Sequence, residues 1–429
     1  MKISCSVAAV AAACSVTSVA QAATRTVYNA AQLDAAVKSA VAGDTIQVAP
    51  GNYGAFEFKN INPASAINIV SANSTNMPVF TSIRVSNSSN LKLTRLIASA
   101  PAPGSANPTV YAAIVSQSHD IRLSGMVFRG VLGGGVSNEP RGLRLSQSTN
   151  VTVAANSFTE LSHAILTDGS SRLNISDNGF TGIRTDGIIS DGATSSTIAR
   201  NRFSDFRPQG ADHPDAIQLF NGGAGTLNLT VTDNLIIGSK AGQMQGIFLQ
   251  NGNGIRSQLD QVSVTNNLLW GTMYNGITAS AANRVTVSGN RLYSNARLAI
   301  PKTWERLEQV NSVTSTSNYA GAYIFNQLGT LTRRGDVLST ADALALAAIA
   351  NWDASHTAAG QSLIYRDPNV FATARSTSLA FRAPASIGIT SLGGVPEPAN
   401  WAMMIAGFGL IGAVRRRLQR RAGRRMARA

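Results

Sequence analysis

Cysteine is nearly missing: Cys5 and Cys14 are the only two in 429 residues, and both lie in the first 22. Loss of a leader would leave none, which excludes disulfide frameworks and cysteine–zinc sites. Acidic residues number only 22 against 36 basic ones, and charged residues make up 14% of the chain. Aromatics are 6%, too few for a surface that recognises ligands chiefly by ring stacking. Neither apolar run, one at each end, has the roughly 20 large apolar residues of a full membrane span. Nucleotide, haem and zinc motifs are lacking. The "GAG" and "GGG" tracts have no following helix and no phosphate-loop spacing.

The positive excess is local. Eight arginines fall in 415–429, and without them and Lys2 the formal charge drops from +14 to +5. The pI of about 10.4 therefore does not point to nucleic acid, since no basic-plus-aromatic pattern accompanies it. The run is topogenic instead. "MKISCSVAAVAAACSVTSVAQAA" joins Lys2, a small-residue apolar stretch and an A-x-A site at Ala20–Ala22. It is expected to be a signal peptide spanning 1–22, with a lipoprotein reading at Cys14 as the alternative.

The C-terminal stretch 395–429 has three parts: Pro396-Glu397-Pro398, an apolar run from Trp401 to Val414, and the arginine tail. An ordinary C-terminal anchor is one reading, with the arginines cytoplasmic. The order also resembles the PEP-CTERM sorting signal of the PEP-x-x-Trp-Ala type. That resemblance implies processing by an exosortase-type membrane enzyme and transient contact with the inner membrane. It also implies display at the surface, outer membrane or matrix of a Gram-negative bacterium that exports polysaccharide.

The middle of the chain is self-similar. "TNVTVAANSF", "SRLNISDNGF", "SSTIARNRF", "LNLTVTDNL", "DQVSVTNNL" and "ANRVTVSGNRL" alternate apolar and polar residues, then give Asn, one residue, and Phe or Leu. The asparagines Asn156, Asn178, Asn201, Asn234, Asn267 and Asn290 are spaced 22, 23, 33, 33 and 23 apart. A second motif, a small residue followed by an aliphatic, alternates with the first: "RGLRL", "HAILT", "DGIIS", "DAIQL", "QGIFL", "NGITA". Period-two alternation means strands. Two or three short strands per repeat predict a β-solenoid. Asn and Gly suit its corners because they tolerate positive φ. The longer spacings predict inserted loops on one face.

Before the repeats, Asn29 is placed to cap a short helix with Leu33, Val37 and Val41 on one side. Gly43-Asp44 ends it and "TIQV" begins a strand. Such a helix would cover the open first coil. "STADALALAAIANW", 339–352, predicts a second helix with Ser339 and Asp342 as a capping box, either capping the far end or forming a lid. The helix, Gly43-Asp44, Ile46, Pro50-Gly51, Tyr53 and the Asn-rich coils resemble the right-handed parallel β-helix proteins of the pectate-lyase-like superfamily. The closest likeness is to its alginate/chondroitin lyase and polysaccharide-epimerase branches. "RDPNVFATARSTSLAFRAPAS", 366–386, resembles a closing segment of that group, with Ala383 where Ser is usual. The expected layout is an all-β parallel β-helix over 23–330, a closing segment over 331–394, and the sorting signal; a monomer is expected.

Chemistry concentrates in "RPQGADHPDAIQLFNGG", 207–223. Two residues before the aliphatic, successive repeats carry Arg141, His163, Asp186, Asp215, Gln245 and Asn275; three after it stand Asp168, Asp191, Phe220 and Gln250. Coils in register would bring Asp186 and Asp215 about 5 Å apart. A shared proton or a cation must then relieve the repulsion. Calcium held by Asp186, Asp215 and Asp191 is the expected metal, since hard cations take oxygen ligands alone. The competing reading has these residues merely filling corners. Arg184, Lys240 and Lys302 are the basic candidates. The order Asp-His-Pro-Asp departs from the Asp-Pro-His order of alginate epimerases, so roles do not transfer by resemblance.

The candidate catalytic residues are His213, Asp215, Asp212 and Arg184, with His213 as base. Gln218, Gln245 and Gln250 are expected to bind sugar. A lyase or C5-epimerase acting on a uronate polysaccharide would need such a base and a means of neutralising the substrate carboxylate. Two aspartates could alternatively serve hydrolysis. The other class of function is a non-catalytic polysaccharide-binding or matrix protein.

Overall fold

The computed structural model describes residues 22–358 except 104–108, 134–137, 211, 221–224, 239–243, 251–257, 296–301 and 340–341. The expected signal peptide except Ala22, most of the expected closing segment, and the expected sorting signal lie outside the described residues. Within them the strands form three sheets of 13, 11 and 11 strands, every pairing parallel. We call these walls one, two and three. Wall one runs from Thr24–Val27 to Thr330–Arg334, wall two from Val79–Phe80 to Val337–Leu338, and wall three from Ala55–Lys59 to Ala322–Asn326. The chain visits the walls in rotation, so each coil stacks on the one before it. This is the parallel β-helix that the alternation predicts.

Register converts sequence repeats into vertical ladders. In wall three Leu143, Ile165, Ile188, Ile217, Ile247 and Ile277 stand one above another, all buried. Phe128, Phe158, Phe180 and Phe203 stack in wall two with centroids 4.6, 4.9 and 4.5 Å apart. The repeated asparagines form a third ladder. In each step one Asn offers its backbone N–H and Nδ2 to the Oδ1 of the next, at 2.9–3.0 Å from Asn156 through Asn318. Asp336 receives the last pair of bonds, at 2.9 and 3.1 Å.

The reason for Asn therefore differs from the one expected. The positive φ belongs to the preceding residue — Ala155, Asp177, Arg200, Asp233, Asn266 or Gly289. The Asn itself is buried and is selected by its amide, which both donates and accepts.

The N-terminal helix spans Ala30–Lys38, and Asn29 Oδ1 accepts from the Gln32 N–H at 2.9 Å. Leu33 and Val37 are buried against the first coil, whereas Val41 lies past the helix end and is exposed. The second helix spans Asp342–Ala358, and residues 340–341 before it lie outside the described residues. It neither caps the far end nor forms a lid. Ala345 and Trp352 pack on Leu235, Leu268 and Tyr293 along the outside of wall two. Among the described residues no helix is long and apolar enough to cross a membrane.

The longer connections join strands of wall three to the neighbouring walls. Connections 205–214 and 238–244 precede its strands, and 221–225 and 251–258 follow them. One wall is thereby framed by variable chain, and the candidate site occupies its leading border.

Candidate functional site

The small residue of the second motif determines how this border is built. A Cβ on Gly187 would meet Ala216 O at 2.5 Å and the Phe203 ring at 2.7 Å; one on Gly246 would meet Gly276 O at 2.1 Å. Consecutive coils nearly touch there, so only Gly or Ala fits. The residue before it falls at the corner. Those corner residues form a polar ladder: Tyr111, Arg141, His163, Asp186, Asp215, Gln245, Asn275 and Trp304.

The stacking of Asp186 and Asp215 is observed. The Asp215 N–H donates to Asp186 Oδ1 at 2.9 Å. Both side chains are buried, Asp215 completely, so neither carboxylate faces solvent as a catalytic group would. Ala216 and Ile217 are buried with it, and the corner does not rotate Asp215 outward. Burial, with Asp215 beside it, holds the Asp186 carboxyl well above the ordinary range. Burial also raises Asp215, against opposing pulls from His213 and Gln218. Of the two, Asp215 is the carboxyl that meets stabilising partners in His213 and Gln218.

His213 covers Asp215, with Nδ1 at 3.4 Å from Oδ2 and about a quarter of its side chain exposed (26%). Gln218 Nε2 donates to the same Oδ2 at 3.0 Å. Burial depresses the His213 pKa, but the Asp215 carboxylate outweighs it and the net shift is upward. Gln245 Nε2 touches His213 Nε2, and Phe248 meets the ring edge-on at 6.0 Å.

His163 sits on the other side of the carboxylates, with Nε2 at 3.5 Å from Asp186 Oδ2. Burial and the Arg141 charge pull it down to about 3, so it is neutral at any ordinary pH. Arg141 donates from Nη1 to Tyr111 Oη at 3.1 Å and stacks over that ring. Among the described residues no carboxylate pairs with it. The border thus holds a neutral imidazole, an imidazole of raised pKa and a cation with charge to spare.

The structure brings some of the sequence-predicted residues to this corner and engages others elsewhere. Arg184 is not available to a substrate: Nη1 pairs with Glu139 Oε1 at 3.0 Å, Nε pairs with Asp212 Oδ2 at 2.8 Å, and its side chain is buried. Asp212 is committed to Arg184 and to the Gln209 N–H. The two form a clamp that fixes the turn carrying His213. Gln245 is buried and supports His213. Asp191 and Gln250 share a rung position five residues along from Asp186 and Gln245, about 16 Å away at strand spacing. The three aspartates therefore do not converge. Asp186 Oδ1 is already hydrogen-bonded, and Asp215 Oδ1 is the one buried carboxylate oxygen of the pair without a partner. Among the described residues no group of three or more His, Cys, Asp or Glu could hold a metal. This donor set does not fit calcium, which takes six to eight oxygens. Lys302 is exposed, and Lys240 lies outside the described residues.

His163 and Arg141 carry the site's acid–base contrast and were passed over. Their signal was present, since both occupy the corner position of the second motif.

A family model described as "Right handed beta helix region" matches residues 81–267. The fold is a right-handed parallel β-helix. Solved structures similar to this β-helix include an alginate lyase from Paenibacillus sp. str. FPU-7. It is 15% identical with a TM-score of 0.44, covering 73% of this chain and 99% of that one. PfbA, a surface adhesin of Streptococcus pneumoniae, is 14% identical with a TM-score of 0.47, covering 71% and 88%. A rhamnogalacturonan lyase is 11% identical with a TM-score of 0.41, covering 72% and 84%. No curated protein sequence matches. A fold does not by itself fix a chemistry, which is argued from the site.

Proposed function

We propose that this β-helix protein acts on an acidic polysaccharide by removing the C5 proton of a uronate, as a lyase or a C5-epimerase. We further propose that it is exported and sorted through its C-terminal signal by an exosortase-type enzyme to the cell surface or matrix. The observation that carries the enzymatic reading is geometric: His213 lies over the buried Asp215 carboxylate, while His163 stands next to Arg141, which pairs with no carboxylate among the described residues. One environment holds His163 neutral and the other raises His213. Titratable groups driven apart in this way mark acid–base assignments.

The roles follow from charge. Arg141 has no carboxylate partner among the described residues, and it meets the uronate carboxylate. Neutral His163 donates a hydrogen bond to the charge that develops there when C5 loses its proton. His213 takes that proton on Nε2 as substrate displaces the Gln245 amide from it, while Asp215 accepts from Nδ1–H and stabilises the imidazolium. The proton then goes to the leaving O4 in elimination; in epimerisation His213 keeps it and a solvent proton is delivered to C5 from the opposite face. The Arg184–Asp212 clamp positions His213 throughout. No step uses a metal.

The test is incubation with alginate, pectate and glycosaminoglycans in deuterated water, with and without calcium. Unsaturated ends report elimination, and deuterium at C5 reports epimerisation. His213→Asn should lower the rate by about 10²–10⁴-fold. The wild-type rate should fall as pH drops through the His213 pKa, which lies above the ordinary 6.5. Neither product on any substrate would remove the enzymatic reading and leave a polysaccharide-binding surface protein.

A further inference from the structure

The corner ladder continues past His213 in a way that fixes which nitrogen of His213 bears its proton. At its far end Trp304 Nε1–H, which can only donate, bonds to Asn275 Oδ1 at 2.8 Å. Thr278 Oγ1 lies 3.4 Å from the same oxygen. That oxygen must face Trp304, so Asn275 Nδ2 faces the other way and donates to Gln245 Oε1 at 2.8 Å. Gln245 is oriented in turn: its Nε2, a pure donor, is the atom that touches His213 Nε2. An NH₂ group requires an acceptor opposite it. His213 Nε2 therefore presents a lone pair, and the ring proton sits on Nδ1, facing Asp215 Oδ2.

We propose that Trp304 is a positioning residue for His213. Through Asn275 and Gln245 it holds the imidazole as the Nδ1–H tautomer, with the Nε2 lone pair accepting from the Gln245 amide. Protonating Nε2 would set donor against donor. Relief would need Gln245 to exchange its oxygen and nitrogen, then Asn275 to do the same, leaving the Asn275 NH₂ against the Trp304 N–H. Gln245 and Asn275 are 1% and 3% exposed, so water offers little substitute and the mismatch is costly. The chain opposes the imidazolium, whereas the groups on the neighbouring coils, Asp215 and Asp186, favour it. Phe248, on the remaining side, carries no charge. A single indole N–H three coils away thus tempers the basicity that Asp215 confers.

The tautomer stands on hydrogen-bond geometry alone; its use as a base rests on the function proposed above. The experiment separates the two. The full chain is labelled with ¹⁵N at histidine, and the imidazole nitrogens are titrated by NMR, with His213→Asn assigning the signals. Wild-type protein should show His213 as the Nδ1–H tautomer. Trp304→Phe keeps a ring and removes the N–H, and should raise the His213 proton affinity about three- to tenfold. Gln245→Glu, which places an acceptor at Nε2, should raise it further. An Nε2–H tautomer in the wild type overturns the proposal without any variant. An unchanged titration in folded Trp304→Phe overturns it equally. A confirmed tautomer in a protein inactive on every uronate polymer would keep the relay and discard the reaction.

Discussion

Glu305 illustrates how much one side chain can deviate within a repeat. It takes the place that aliphatic residues hold in the coils beneath it, pairing with Ile277, and it is fully buried. Ser315 Oγ lies 2.9 Å from Glu305 Oε1 and 2.7 Å from Asp336 Oδ2. One hydroxyl proton cannot serve two carboxylates, so Glu305 must supply its own. Burial accordingly pushes its carboxyl up to about 8. Folding favours the neutral acid. Its contribution to stability is complete below the unfolded value of 4.5, shrinks as pH rises, and is gone above about 8. Glu305→Gln should therefore melt like the wild type near pH 4 and a few kcal/mol more stably above pH 8; thermal melts across that range provide the check. Nothing in "TWERLE" announced this group, because inward and outward phases cannot be told apart where a bulge interrupts the ladder. His163 was hidden for a related reason. Its properties come from Arg141 and burial, and neither is visible at its own position.

The asparagine ladder makes the corresponding case for elements. Each rung is held by bonds that cross coils, so removing one amide orphans groups on both sides. Asn178→Ala would leave the Asn156 backbone N–H without its acceptor and remove the side-chain donor to Val153 O and one of the two donors to Asn201 Oδ1. A loss of roughly 3 kcal/mol or more is expected. Asn174→Ala, on the exposed face of wall one, should stay within about 0.5 kcal/mol. Denaturant midpoints at constant slope would separate the two. The existence of these strands and their inward ladders was legible, because alternation reports burial directly. Which connections carry the insertions was not. A spacing of 33 residues says that ten were added, but only the register shows that the longer connections join strands of wall three to the neighbouring walls. The Asp191 misplacement has the same origin. Aligning motifs gives neighbours along the axis and says nothing of how far a strand runs across the wall.

At the scale of the whole molecule, the ends decide the behaviour. Stacked coils leave two raw edges, and the Ala30–Lys38 helix covers the first through Leu33 and Val37. Leu33→Asp should detach it and expose the first rung, giving concentration-dependent association that light scattering would detect. At the other end Arg333 lies over the Tyr323 and Phe325 rings, 4.4 and 5.3 Å from their centroids, and pairs with Asp336 at 3.0 Å.

Asp336 has a further consequence. An Asn in this stack is bifunctional, like a monomer in a growing polymer: it binds the unit below and offers donors to the unit above. Asp336 can only receive, so it acts as a chain terminator. Duplicated coils could enter between Asn156 and Asn318 and be stitched in by the same bonds, whereas a coil added after Asp336 would find no side-chain amide to join. The length of this molecule can therefore grow from within and not from its tip.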